Sequence, residues 1–226
     1  MRGSQVLVTA GCLLVHCGGS MDGRVAVSSA EAQEPALPPT PTPPRAPEPC
    51  LVALAATGAQ FEPARLTAAP AAMPGCGMRE GVIVSRGPTG LEYRPPIEIS
   101  CVFALTLPAI EETVRQVAAT NLAEPIRLVR TMGSYGCRTI RSTRSPGRLS
   151  QHALGNAIDV GILEGASVHA SVVRDFRADT SEGRFLRDLA AALRQAGSLE
   201  RVLDPEYDAA HRNHFHLEGH PLAEAN

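Results

Sequence analysis

Apolar and polar positions alternate along Gly81-Val-Ile-Val84 and again from Leu91 to Ile99, on either side of Gly87-Pro88-Thr89-Gly90. A period of two broken by a Gly- and Pro-containing turn predicts two short strands. The period then changes. Ile110, Val114 and Val117 recur at spacings of four and three, which puts them on one face of a helix. Thr106 is placed to cap that helix, and Pro108 falls in its first turn. Ile126-Arg-Leu-Val129 predicts a strand, residues 133–150 a loop rich in Gly, Ser and Arg, and Ala157-Ile-Asp-Val-Gly-Ile162 a further strand. Phe185, Leu189 and Leu193 form the apolar face of a second helix, with Ser181 as its cap and Gly197 as its stop. Arg201-Val-Leu203 and Phe215-His-Leu217 are apolar pieces of strand length. Helices mixed with antiparallel strands predict an α+β fold, a single domain with a small antiparallel sheet flanked by helices.

Ahead of this pattern the chain changes character twice. Residues 1–17 carry one positive charge followed by ten mostly apolar residues, 6–15, as a signal peptide does. The run is shorter than the about 20 apolar residues that span a bilayer. Cys17 precedes Gly18-Gly19-Ser20, in the manner of a bacterial lipoprotein attachment site, but His16 stands where a small residue is expected. Cys12, after Ala10 and Gly11, satisfies that rule and leaves a very short apolar run. A lipid anchor and plain signal cleavage both remain open, and either one exports the chain to the periplasm or cell envelope. Residues 18–49 form a Pro-rich disordered linker, with eight prolines between 35 and 49 that favour extended polyproline II. Residues 50–226, 177 in all, are enough for one domain with its own core. They hold four cysteines, Cys50, Cys76, Cys101 and Cys137. In an exported chain this predicts two disulfides, with three pairings open. A four-thiolate zinc site would need closely spaced pairs, and there are none.

Composition narrows the chemistry. All 21 basic residues are Arg, so a Schiff-base lysine and a phosphate loop ending in Gly-Lys are excluded. A net charge of −2, with no Trp, three Tyr and five Phe, gives no basic or stacking surface for nucleic acid. The chemistry lies instead in Ser150-Gln-His152-Ala-Leu-Gly155-Asn-Ala-Ile-Asp159 and His211-Arg-Asn-His214-Phe-His216, which contain four of the seven histidines. If residues 214–216 are extended, His214 and His216 share a face while Phe215 points into the core. Asp159 shares a face with Ala157, and Gly155 allows a tight turn after His152. Two imidazoles and a carboxylate suit a catalytic zinc ion that keeps a fourth position for water. The duller alternatives are a turn-capping Asp159, surface histidines such as His169 and His220, and a solvated loop carrying Arg138, Arg141, Arg144 and Arg148.

Ser150-x-His152-x-x-Gly155-x-Ala157-x-Asp159 with a late His-x-His resembles the signature of a zinc peptidase superfamily. It includes D-Ala-D-Ala carboxypeptidases, lysostaphin-type enzymes and the hedgehog signalling domain. More narrowly, Ser134-Tyr-Gly-Cys137-Arg138, His152-Ala-Leu-Gly-Asn-Ala-Ile-Asp159 and Ala210-His-Arg-Asn-His-Phe-His216 resemble the bacterial extensin-like carboxy-terminal domain family, over about residues 50–218. The resemblance implies a hedgehog/D-Ala-D-Ala-peptidase-like fold and Zn2+ held by His152, Asp159 and His216. It implies acid–base work by His214, beside the metal. It places His211 as in penicillin-insensitive murein endopeptidases, which carry a further histidine near the metal. Arg138 stands where carboxypeptidase relatives have an arginine that contacts substrate. The dipeptidase branch has a glutamate three residues before its last ligand; here that residue is Asn213, so the histidine version of the chemistry is the one expected. The implied activity is hydrolysis of D-alanine-containing stem or cross-link peptides of peptidoglycan, by a metallopeptidase of murein endopeptidase or D,D-carboxypeptidase type. The alternative is a non-catalytic, zinc-stabilised cell-wall binding module, since hedgehog domains keep the metal and bind partners without evident hydrolysis.

Mass spectrometry of the mature amino terminus tests the anchor. A diacylglyceryl-modified cysteine at 17 or 12 establishes lipidation, and an unmodified terminus beyond Cys17 eliminates it.

Overall fold

Pro49, the last residue of the expected linker, instead opens helix α1, Pro49–Ala56. A proline is tolerated in a first turn because its missing N–H has no partner there in any case. The computed structural model describes residues 49–65, 69–78, 80–140 and 147–221. The expected signal peptide, the rest of the linker, both candidate lipidation cysteines, Arg141 and Arg144 lie outside the described residues.

After α1 come β1 (Gln60–Pro63), β2 (Gly81–Arg86), β3 (Glu92–Ser100), the single turn α2 (Cys101–Ala104) and α3 (Leu107–Asn121). Then follow β4 (Leu128–Gly133), β5 (Ala157–Glu164), β6 (His169–Ser171), α4 (Val172–Asp175), α5 (Ser181–Gln195), β7 (Arg201–Leu203) and β8 (Phe215–Glu218). One eight-stranded sheet results, in the order β1-β2-β3-β4-β5-β8-β7, with β6 also paired to β5. The sheet is therefore larger than expected and not wholly antiparallel, because β3 and β4 run parallel. The cause is α3. Its 15 residues carry the chain back along the sheet, and a crossover of that kind returns a strand in the same direction.

The apolar residues of β2, β3, β5 and β8 alternate onto one face. Val82, Val84, Ile97, Ile99, Ile158, Val160, Phe215 and Leu217 meet Ile110 and Val114 of α3 and Phe185, Leu189 and Leu193 of α5 in one core. Each fully buried Leu, Ile or Phe contributes roughly 1.5–3 kcal/mol, which is why the helices commit to this face. Asp159, His216 and Glu218 alternate with these residues and so point from the opposite face. Among the described residues no helix is long and apolar enough to cross a membrane. All the described residues fall in one compact unit.

Local details correct the expected caps. Thr106 precedes α3, but its hydroxyl donates to the Phe103 carbonyl and caps nothing. Thr180, not Ser181, caps α5, accepting the Gly183 N–H at 3.1 Å. The strand expected from Ile126 begins at Leu128 and runs on to Gly133. The disulfides are Cys50–Cys101 and Cys76–Cys137, spanning 51 and 61 residues. On chain-entropy grounds each contributes about 4 kcal/mol. Both accord with an oxidising compartment.

One buried acid has a structural task. Glu111 of α3 accepts from the Tyr93 hydroxyl at 2.7 Å, from the Thr89 N–H at 2.8 Å and from the Thr89 hydroxyl at 2.7 Å, clamping the 87–90 turn onto the helix. Glu111→Ala leaves the buried Tyr93 hydroxyl unpaired and opens a void. It should lower the unfolding free energy by about 2–4 kcal/mol in urea titration, without altering the opposite face of the sheet.

Candidate metal centre

Two of the three expected ligands are placed by strand pairing alone. Asp159 on β5 lies directly opposite His216 on β8, and Asp159 is flanked on its other side by Gly133 of β4. A Cβ at Gly133 would sit 3.0 Å from Asp159 Oδ2, so glycine leaves the carboxylate its room. The Nδ1 of His216 stands 2.9 Å from Asp159 Oδ1.

His152 arrives from a different part of the chain. It sits in a single 3-10 turn, Gln151–Leu154, capped by the Ser150 hydroxyl and closed by Gly155 in the left-handed region at φ 62°. A side chain at 155 would be strained there, and its Cβ would fall 2.0 Å from Met78 Sδ and 2.7 Å from the Ser100 nitrogen. The turn is strapped on both sides. The Gly136 N–H donates to the His152 carbonyl at 3.1 Å, and the Gly77 N–H to that of Ala153 at 2.8 Å. These straps adjoin Cys137 and Cys76, which are bonded to each other. His152 Nε2 thereby comes within 3.2 Å of both Asp159 Oδ1 and His216 Nδ1.

Hydrogen bonds on the outer side of the cluster decide what its inner side can be. The His152 Nδ1 lies 2.6 Å from the Ser134 carbonyl, which only accepts, so Nδ1 carries the proton and Nε2 turns a lone pair inward. The Glu218 carboxylate lies 3.5 Å from His216 Nε2, on the far side of that ring from the cluster. With both rings neutral and the His216 proton on Nε2, three acceptor atoms face one another at 2.9–3.2 Å. Such an arrangement is repulsive until a cation enters it. In the metal-free chain a proton fills that role. Burial pushes the His216 imidazole down, but Asp159 and Glu218 outweigh it and raise the group above its ordinary value. Burial likewise pushes the Asp159 carboxyl up, and the rings of His152 and His216 overcome it and hold the group well below the usual carboxylate range. A divalent ion with an affinity for imidazole and carboxylate fits the same donor set, and His152, Asp159 and His216 are close enough to share one.

His214 and His211 surround this cluster. His214 Nδ1 donates to Asn213 Oδ1 at 2.9 Å, and its Nε2 stands 3.5 Å from Asp159 Oδ1. Burial pushes the His214 imidazole down, against the pull of Asp159, and the net shift is downward. The His211 ring lies 5.3 Å from that of His214 and 5.8 Å from that of His216, centroid to centroid. Its Nδ1 lies 2.7 Å from Asp208 Oδ1. Arg138 stands in the stem leading to His152, its carbonyl accepting the Ser150 N–H at 3.0 Å. Among the described residues no hydrogen bond joins Arg138 to the cluster. His169 and His220 lie apart, paired with Glu164 and Glu200.

Four further residues support the cluster, and their roles do not follow from the motifs. Asp208 caps the turn that bears His211, accepting from Ala210 N at 2.8 Å and His211 N at 3.2 Å, and an Asp three residues ahead of a histidine is a detectable signal for it. Glu218, two after His216 on a strand, is detectable by the same parity that paired His214 with His216. Asn156 is buried and donates to the Gly219 carbonyl at 3.0 Å and the His220 carbonyl at 3.1 Å, tying β5 to the end of β8. The Ser134 carbonyl leaves no trace in a side-chain pattern.

A family model described as Extensin-like protein C-terminus matches residues 48–224, and the chain belongs to that family. No curated protein and no solved structure matches the chain.

The cysteine bridge should matter locally as well as globally. Cys76→Ser with Cys137→Ser should cost about 4 kcal/mol of unfolding free energy. It should also remove the slowly exchanging, downfield His152 Nδ1–H resonance that the Ser134 hydrogen bond protects. Retention of that resonance in the double variant would show that the straps hold without the bridge.

Proposed function

We propose that this extensin-like chain is an exported zinc-dependent peptidase of the cell envelope that hydrolyses D-alanine-containing peptides of peptidoglycan. In this reading its sheet-and-helix domain is of the hedgehog/D-Ala-D-Ala-peptidase kind. The observation that carries the proposal is the convergence of His152 Nε2, His216 Nδ1 and Asp159 Oδ1, with the outer nitrogen of each ring facing another partner. A polar arrangement that is repulsive when empty and satisfied by a cation is the donor chemistry of a metal site. The substrate class rests on the superfamily resemblance of the His152–Asp159 and His211–His216 motifs.

His152 Nε2, Asp159 Oδ1 and His216 Nδ1 would hold the ion. A zinc ion so bound supplies a Lewis acid and a water of lowered pKa. The remaining steps belong to the chain. His214, its Nδ1 occupied by Asn213, turns Nε2 toward the cluster and can take a proton there and return it to the leaving amine. His211, oriented by Asp208, is the second group within reach for the same transfer. Asn213 does not ionise and cannot replace the glutamate of the dipeptidase branch; it orients His214 instead. Arg138 would grip a substrate carboxylate or developing oxyanion through its planar fork.

The test is incubation of the full chain, loaded with zinc, with purified murein sacculi. Soluble muropeptides should appear, and His216→Ala should abolish both zinc binding and release. His214→Ala should keep the zinc and lower the rate by about 10²–10⁴-fold, the ordinary share of acid–base catalysis. Release that survives His216→Ala and chelation overturns the site. Retention on sacculi without digestion overturns the peptidase and favours the zinc-stabilised wall-binding module.

A further inference from the structure

Glu218 closes strand β8 two residues after His216 and on the same face of the sheet. It is buried, with 9% of its surface exposed. A carboxylate at that depth costs free energy unless a partner offsets it. Its Oε2 is 3.5 Å from His216 Nε2, while the other nitrogen of that ring, Nδ1, belongs to the cluster. The other imidazole of the cluster is treated in the same way, its outer nitrogen donating to the Ser134 carbonyl at 2.6 Å.

The geometry points to Glu218 as a positioning residue for the metal centre: its carboxylate accepts the Nε2–H of His216, fixes the ring about its bond to β8, and reserves the Nδ1 lone pair for the ion. This rests on the reading of His152, Asp159 and His216 as a metal site, and extends it to a residue outside the ligand set. Two consequences follow from general chemistry. An anionic acceptor on the outer nitrogen makes the inner one a stronger donor, and a ring held in place loses less freedom when the ion binds. Ser134 offers His152 a neutral carbonyl, whereas Glu218 offers His216 a formal charge. The two rings are therefore unequal donors, and the one on β8 is the stronger.

Zinc affinity measured by competition with a chromophoric chelator, on the full chain, tests the assignment. Glu218→Ala should weaken binding about 10–100-fold, the usual effect of losing an outer partner of a ligating histidine. Glu218→Gln keeps an acceptor without the charge and should lose less. In the metal-free protein, nitrogen-15 spectra should show a protected, downfield His216 Nε2–H in the wild type and in Glu218→Gln, absent in Glu218→Ala. Unchanged zinc affinity in Glu218→Ala overturns the assignment, as does a fall in thermal stability with zinc affinity per folded molecule intact. If Glu218→Ala does not fold, wild-type affinity in Glu218→Gln together with an unshifted Nε2–H overturns it. A wild-type chain that takes up no zinc removes the metal reading itself, and that result is visible before any variant is made.

Discussion

The site depends on one hydrogen bond on the outer side of the His152 ring. The Ser134 carbonyl takes the Nδ1 proton of His152 at 2.6 Å, and everything on the inner side of the ring follows from that. A carbonyl cannot donate, so the ring has no tautomeric choice, and its bare Nε2 must face Asp159 and His216. Burial sharpens the consequence, because lone pairs held close in a poorly solvated place repel more strongly than the same groups in water. A positive charge, whether a proton or the ion proposed above, relieves that repulsion.

The supports of the cluster are divided between a rigid part and a strapped part. Asp159 and His216 are cross-strand neighbours on paired interior strands, so their separation is set by backbone pairing and by the core beneath them. Ile158, Val160, Phe215 and Leu217 lock the same two strands from below, and Asn156 ties their ends together. His152 has no such lattice. Its turn is held by a left-handed glycine, by backbone hydrogen bonds from two separate segments, and by a disulfide joining those segments. The third donor of the site is thus strapped beside an oxidised bridge. This links the site's geometry to the oxidising surroundings that an exported chain meets.

Around the cluster the chain repeats one device. His152, His211 and His214 each have one ring nitrogen engaged, by Ser134, Asp208 and Asn213, and His216 has Glu218 at the same place. Orienting one nitrogen fixes what the other can do, which is how an imidazole is prepared for either ligation or proton transfer. The proposed peptidase needs both uses side by side: rings whose inward lone pair binds an ion, and rings whose inward nitrogen moves a proton. The difference between the two sets lies in distance from Asp159 and not in residue type.

The amino-acid order determined the two helices, most of the strands and the facing of His214, His216 and Asp159, because period and parity are local properties of a chain. It also singled out His152, Asp159 and His216, which the fold brings together, and the need for a small residue at Gly155. It did not determine the parallel pairing of β3 with β4, or which cysteine meets which. Those are contacts between segments tens of residues apart, and no local period encodes them. Nor did it disclose the role of Ser134, whose contribution is a main-chain oxygen common to every residue, or which ring Glu218 and Asp208 each reach. The tertiary structure settled these points because a hydrogen bond to a particular nitrogen is a property of a position in space, fixed only after the sheet has paired and the His152 turn has been strapped against it.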